Sequence, residues 1–503
     1  MRTWPSQRLK KALPLLAFGV MAVLWVVVQV RVGRFMTTDE IAFKAPGREW
    51  AATGRFAAPE LEGFLGVNLR PSLKETYGIQ PPLFPLVFGL FTRTFGFGPQ
   101  QNAAFDALLH AMFSCSTVIL ARRLAPCLWA GWSVVAGTIV LPIMCAGRPE
   151  ELVGLLATLS MIPLLGPSGS SVLVAGSSGL VLGLSAFAGP VAAAAAAVGG
   201  MILLLLRNRS WKRVFHVFIP WFAGAGTSSS VCASVFFALH PGAWTQFRRH
   251  VGVQTSASSF YGLMVWATYQ LPVLMLVAAC TLVSVAAAKS ETDCRDGSRY
   301  IWMSWAVPAL LLFAYHPEKR YYLWALAPII VATTAIQLPL ALAPRGRGPR
   351  FMLFSAAILV AISTLLSVRG IGIMAALPED QELGRNEQLL REMIPDGSVV
   401  LGNDFWPSLA GRVRFISSPH SEVPAEKLGF VLLTANGSGK PGRRQKLEGV
   451  YAHLLDSGWE IVHDGLTKER PRFLGLPLSR SAWGYGFILY RRTGKMPTRG
   501  EAG

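Results

Sequence analysis

Apolar runs close to the length of a membrane span recur from Ala12 to Val368. Nothing else in the sequence restricts the fold as severely. A backbone in hydrocarbon must satisfy its own polar groups, and runs of this length do so as helices. The runs are Ala12 to Val30, Ala103 to Leu120, Pro126 to Ala146, Leu152 to Leu165, Val172 to Ala188, Val191 to Leu206, Val214 to Leu239, Leu263 to Ala288, Tyr300 to Phe313, Tyr321 to Leu342 and Met352 to Val368. They predict a mostly α, polytopic membrane protein with about eleven transmembrane helices. Composition agrees, since 52% of the 503 residues are hydrophobic and only 15% are charged, against roughly a quarter in soluble domains.

The basic loops orient these runs. Lys10-Lys11, Arg122-Arg123, Arg207 to Arg213, Lys289 to Arg299 and Arg345 to Arg350 all fall on one side if Pro82 to Phe95 does not span. That run is about 14 residues long, short for a bilayer, and is expected to lie in the outer interface. The positive-inside rule then makes the N-terminus cytoplasmic. The formal net charge of +19 has the same origin, loop Lys and Arg facing anionic lipid. No nucleic-acid-binding motif accompanies it. The six cysteines lie in or beside apolar runs without metal-ligand spacing, and neither disulfides nor a cysteine-held zinc is expected.

The first outer loop, 31–101, holds the feature that most needs explaining. Asp39-Glu40 follows the first apolar run, where carboxylates are costly unless water, a cation or a partner stabilises them. After it come two segments that read as turns, Ala45-Pro46-Gly47 and Ala57-Ala58-Pro59, and then Gln80-Pro81-Pro82 opens a new helix. Three further outer segments carry charge: Arg148-Pro149-Glu150-Glu151, Arg248-Arg249-His250 within a loop from His240 to Phe260, and His316 to Arg320. Carboxylates and cations gathered on one face beside lipid suit a lipid-borne anionic substrate.

Beyond about residue 370 the pattern changes. Ser398 to Leu401, Gly429 to Leu433, Trp459 to Val462 and Tyr485 to Tyr490 read as short buried strands. Glu387 to Met393 and Gln445 to Ser457 read as helices. The expected division is a membrane domain over 1–369 and a small extracytoplasmic α/β domain over 370–503. No Walker loop, dinucleotide-binding glycine pattern or hydrolase elbow is present.

The membrane part, roughly 10 to 340, resembles a known family. Asp39-Glu40 in the first outer loop, Gly54-Arg55-Phe56, Gln80-Pro81-Pro82-Leu83, Phe95-Gly96, Arg148-Pro149-Glu150-Glu151 and Lys319-Arg320-Tyr321-Tyr322-Leu323 occur in an order similar to the GT-C superfamily. These are polytopic glycosyltransferases that use polyprenyl-phosphate sugars, and the pattern is nearest the protein O-mannosyltransferase and aminoarabinose transferase branch. The resemblance implies inverting transfer of a sugar from a polyprenyl-phosphate-linked donor to a hydroxyl of a lipid, glycan or protein. It implies the outer face of the plasma membrane and Asp39 as general base. Glu40 then orients the acceptor or binds a divalent cation beside Asp39. Lys319 and Arg320 receive the leaving phosphate or simply anchor the chain at the interface. Arg148 reaches the same anion or pairs with Glu150 or Glu151. Arg55, Gln80 and Tyr321 complete the candidate substrate site.

Such a transfer needs a base for the acceptor proton and cations for the phosphate. Two other classes compete. A transporter or flippase of a lipid-linked envelope precursor would use ionisable groups within the spans, and Asp106 with His110, one helical turn apart, is the main such pair. A purely structural membrane partner would need no Asp39.

Overall fold

The computed structural model describes residues 4–32, 38–61, 72–124, 130–143, 147–166, 171–208, 211–254, 271–288, 300–315, 322–342, 347–375 and 383–402, and beyond these 406–409, 411–417, 427–434, 458–465, 472–473, 476–477 and 486–494. The chain is mostly helical, with a small sheet near the C-terminus.

Each of the eleven apolar runs contains helix among its described residues. They are α1 (Trp4–Val32), α4 (Pro99–Leu124), α5 (Ala130–Val140), α6 (Glu150–Leu164), α7 (Val172–Ala188), α8 (Pro190–Asn208), α9 (Trp211–Leu239), α11 (Leu271–Ala288), α12 (Met303–Tyr315), the pair α13 (Tyr322–Ala325) with α14 (Ala327–Leu342), and α15 (Arg347–Ala375). Four described helices are long and apolar enough, by length and composition, to cross a membrane: Ala12–Arg31, Pro99–Leu124, Val214–Leu239 and Gly348–Val368. The helical core centres on α4, α6, α8 and α14, with Phe113, Trp221 and Trp324 buried in it. Side chains along α1 and α15 such as Leu16, Val23, Phe354 and Leu365 remain exposed on the protein's outer surface, as helices facing hydrocarbon require.

Two expectations for the outer loops are corrected. Ala45-Pro46-Gly47 is not a turn. It lies inside α2 (Thr38–Thr53). Proline has no N–H to give the carbonyl four residues back and ordinarily breaks a helix there. Here the Tyr77 hydroxyl donates to the Ala42 carbonyl that Pro46 frees. Burial pushes the Tyr77 phenol above its ordinary range, so it remains a protonated donor. Gly47 serves packing. A Cβ there would overlap the Pro85 carbonyl, and one at Gly89 would meet Gly47. The two glycines let α2 lie against α3 (Leu83–Phe95) backbone to backbone. The α3 helix buries Phe84 and Phe88 at 5.7 and 5.0 Å from the Phe105 ring of α4.

The segment from His240 is likewise not an open loop. Pro241–Gln254 is helical, α10, and docks on the first outer loop. Gln246 is buried; its Oε1 accepts from Gly78 N at 2.7 Å and its Nε2 donates to Thr76 O at 3.0 Å.

After α16 (Leu383–Met393) come β1 (Val399–Gly402), β2 (Arg414–Ser417), β3 (Phe430–Thr434), β4 (Trp459–Asp464), a two-stranded ribbon of β5 (Arg472–Phe473) with β6 (Leu476–Pro477), and β7 (Phe487–Arg492). The main sheet runs β2-β1-β3-β7-β4, parallel across β2, β1 and β3 and antiparallel across β7 and β4. The four expected strands are β1, β3, β4 and β7; β2 and the ribbon had no sequence signal. The helix expected over Gln445 to Ser457 lies outside the described residues. Alternation divides the sheet's two faces. Val400, Phe430, Leu432, Phe487 and Leu489 pack with Ile41, Phe56 and Tyr77 of the first outer segment. Val399, Leu401, Val431, Leu433, Ile488 and Tyr490 form a second cluster on the other face.

Candidate active site

The α2 helix carries Glu40, Lys44 and Arg48 at four-residue spacing, and α4 carries Asn102, Asp106 and His110 at the same spacing. Residues four apart share a helix face, so each helix has a polar stripe, and all six side chains are buried. The stripes meet. Lys44 Nζ donates to Asn102 Oδ1 at 2.6 Å and to the two Asp106 carboxylate oxygens at 2.7 and 2.8 Å. It also lies 4.0 Å from Glu40 Oε1. The Phe88 and Phe105 rings flank the ammonium at 5.3 and 5.7 Å. Arg48 pairs with Glu60 on the 3-10 turn Pro59–Leu61.

The segment 147–151 closes the site. Gly147 has φ +76°, and a Cβ there would overlap the Glu40 carboxylate. Only glycine meets both conditions without strain. Glu150 and Glu151 are not loop residues; they open α6 and are buried, where the helix N-terminus favours negative charge. Arg148 donates to Glu150 from Nε and Nη2 at 3.3 Å each and packs 5.1 Å from the Phe43 ring. Glu151 Oε1 lies 2.8 Å from His110 Nδ1 and accepts from Trp324 Nε1 at 3.2 Å. His110 Nε2 faces the carbonyls of Leu141 and Val140 at 3.0 and 3.2 Å, and the imidazole stacks on the Trp324 indole at 9°.

Four buried carboxylates therefore gather at one end of the helical bundle: Glu40, Asp106, Glu150 and Glu151. An unpaired buried charge costs several kcal/mol. Each of these has a cation or ring nitrogen within 4.0 Å. The result is a rigid electrostatic frame rather than a set of solvated loop charges.

Asp39 and Glu40 both stand in the first turn of α2, not in an extended loop. Glu40 belongs to the frame; the Asp39 side chain lies outside the described residues. Lys44 Nζ lies 4.0 Å from Glu40 Oε1, and no group of three metal-ligating side chains occurs among the described residues. Arg148 is half-buried and within the frame. Gln80 is half-buried two residues before the Pro82 cap of α3, and Arg55 is exposed beyond the end of α2; neither is hydrogen-bonded to the frame among the described residues. Phe56 is an anchor in the outer aromatic cluster, 5.1 Å from Phe236. Lys319, Arg320 and Tyr321 lie outside the described residues. Asp106 and His110, the pair a transporter would use, are held by Lys44 and Glu151. Lys44, Asn102 and Trp324 were not anticipated. The signal for the first two was the four-residue polar repeat in otherwise apolar helix; Trp324 had none, because its role depends on a fold-level contact.

No protein-family model matches this sequence, and no curated protein matches it. Solved structures do match by shape. One is ArnT from Cupriavidus metallidurans bound to undecaprenyl phosphate, with TM-score 0.59 and 13% identity over 95% of this chain and 97% of that one. Another is the apo oligosaccharyltransferase of Archaeoglobus fulgidus, with TM-score 0.50 and 10% identity over 95% of this chain and 76% of that one. A third is a mutant of the arabinofuranosyltransferase AftD from Mycobacteria, with TM-score 0.50 and 15% identity over 96% of this chain and 42% of that one.

Proposed function

We propose that this chain, which has the fold of the GT-C membrane glycosyltransferases, moves a sugar from a polyprenyl-phosphate-linked donor to a hydroxyl acceptor on the extracytoplasmic face. One observation carries the reading. The helix whose first turn holds Asp39-Glu40 is locked to α4 by the buried Lys44–Asp106 ion pair, and its Glu40 is pressed against Gly147. A helical turn fixed in this way presents its acidic pair with little backbone reorganisation when the acceptor proton is transferred. The structural neighbour ArnT binds undecaprenyl phosphate, which supports a lipid-linked donor.

The acceptor oxygen attacks the anomeric carbon opposite the phosphate. The bond from that carbon to the phosphate oxygen breaks, and its electron pair leaves with the polyprenyl phosphate. The acceptor proton passes to Asp39. A single displacement of this kind inverts the anomeric centre. Glu40 orients the acceptor. Arg148, Lys319 and Arg320 balance the leaving phosphate, with Arg55, Gln80 and Tyr321 contacting the substrates further out. Arg320 is four residues before Trp324, whose indole donates to Glu151. In this reading residues 1–369 form the multi-pass membrane domain, with a cytoplasmic N-terminus, and 370–503 an extracytoplasmic domain.

The test is transfer from a panel of polyprenyl-phosphate sugars by the purified protein in lipid nanodiscs. General-base catalysis is typically worth 10²–10⁴-fold, so Asp39→Asn should lower kcat by about that factor while polyprenyl phosphate binding holds. Full transfer by Asp39→Asn with loss in Glu40→Gln would exchange the two roles. Full transfer by both variants would remove the glycosyltransferase reading.

A further inference from the structure

We infer that α10 is a membrane-surface helix, and that its outward face, with Trp244 and Arg248, is a contact site for the headgroups of anionic phospholipids. Its place in the chain sets its depth. The preceding helix, α9, is long and apolar enough to cross a bilayer, and Phe222, Val231, Val235 and Leu239 are exposed along it. Leu239, its last residue, is 71% exposed, and α10 starts at Pro241. Two residues reach at most about 7 Å. The first turn of α10 therefore begins where the span of α9 ends, at the boundary between hydrocarbon and water.

Contacts with the first outer segment fix how α10 is turned about its own axis. A Cβ at Gly78 would overlap the Ala243 carbonyl, so the two backbones touch. Gln246 accepts from Gly78 N and donates to Thr76 O. Ala243 and Gln246 are buried and Phe247 is half-buried. Successive helical residues are rotated by about 100°, so the opposite face carries Trp244, Thr245 and Arg248, and all three are exposed. Residues four apart share a helix face, which sets Arg248 one turn beyond Trp244. The Trp244 indole packs 5.1 Å from the Phe237 ring of α9 and 6.0 Å from the Phe247 ring. The exposed apolar side of α9 thus continues onto Trp244, and what covers that side along α9 is lipid. Tryptophan settles at headgroup level because its ring is apolar and its N–H is polar. The arginine fork matches phosphate oxygens. No Asp or Glu occurs from Pro241 to Gln254, so α10 sets no repulsion of its own against an anionic surface.

The experiment reads lipid contact at Trp244 directly, whether or not the chain transfers sugar. The full-length protein is placed in nanodiscs of phosphatidylcholine mixed with phosphatidylglycerol, with one lipid or the other brominated in the upper acyl chain. Bromine quenches an indole beside it. The sequence has 15 tryptophans, so the Trp244 signal is the difference in emission between wild type and Trp244→Phe. That difference is expected to be quenched by brominated lipid and spared by iodide in the water. Phosphatidylglycerol should be favoured over phosphatidylcholine by about fivefold, the effect of one arginine near an anionic surface. In Arg248→Gln, measured against its own Trp244→Phe form, lipid quenching should persist while the preference falls to about one. Quenching by iodide and not by brominated lipid would put α10 in water and overturn the inference, leaving Trp244 to stack against an acceptor sugar. Equal quenching by the two lipids in wild type, or a preference that survives Arg248→Gln, would overturn the headgroup site. Should Trp244→Phe unfold early, Trp244→Tyr, which keeps a ring and a polar end, supplies the same difference.

Discussion

Glu387 shows how one buried carboxyl beside the C-terminal sheet adds pH dependence. It sits on α16, and its Oε2 accepts from Ser408 N at 2.6 Å, while Oε1 has no hydrogen-bond partner among the described residues. Burial pushes its carboxyl up to about 7, against the lowering effects of Ser408 and Arg391. A raised folded-state value means that the folded protein holds the proton more tightly than the unfolded chain does. The stabilising contribution is therefore full below about 4.5 and is lost as pH rises through about 7. The contribution is about 3 kcal/mol at most. Amide hydrogen exchange along α16 should accelerate from pH 5 to pH 8 by more than the intrinsic chemical increase. In Glu387→Gln that excess should vanish; an excess that persists would place the titrating group elsewhere.

Among the elements, α2 is the most unusual. It survives an internal proline because Tyr77, from a different segment, caps the freed carbonyl. It approaches α3 because Gly47 and Gly89 leave room. Tyr77→Phe strands a buried carbonyl, which costs about 1–3 kcal/mol. Gly47→Ala drives a methyl group into the Pro85 carbonyl, and overpacking of this kind costs about 1–3 kcal/mol or more. Both should lower the thermal midpoint and the transfer rate together, since the same helix holds the acidic pair. Gly19→Ala is the control. A Cβ at Gly19 meets nothing within 4 Å, so its midpoint should match wild type or exceed it slightly. A Gly47→Ala protein as stable as wild type would contradict the tight α2–α3 packing.

At the scale of the molecule, the sheet and the first outer segment share one apolar cluster. The C-terminal part is therefore a cover for the outer loop, not an appendage on a tether. Removing residues after Ala375 would expose Ile41, Phe56 and Tyr77, and exposed patches of this sort promote aggregation. Truncation should thus reduce monodisperse yield and abolish transfer, whereas an independent tail could be removed without either effect. The orientation in the membrane is checked separately by single-cysteine labelling. Positions following Arg123, Arg213 and Arg347 should be reached only from the cytoplasm, and those following Glu151, Lys319 and Asp404 only from outside. Labelling after Lys319 from the cytoplasm would separate Lys319 and Arg320 from the acidic pair and dissolve the proposed composite site.

The helices were legible from the sequence because hydropathy is a local property: a run of apolar residues states its own environment whatever the rest of the chain does. The strands β1 and β3 were legible for the same reason, being apolar runs buried on both faces. The prominence of Asp39-Glu40 was also local, an acidic pair beside an apolar run. What surrounds that pair was decided by tertiary structure. Ala45-Pro46-Gly47 has the composition of a turn, and only a tyrosine thirty-one residues after the proline in sequence makes it helix. Lys44 and Asp106 look like isolated charges until α2 and α4 are laid together, because the sequence shows one stripe on each helix but not that the two face each other. The burial of Glu150 and Glu151, and the bond from Trp324 to Glu151 across 173 residues, belong to the same class. The energy of a buried charge depends on partners supplied by distant segments, and no local pattern records where those segments meet.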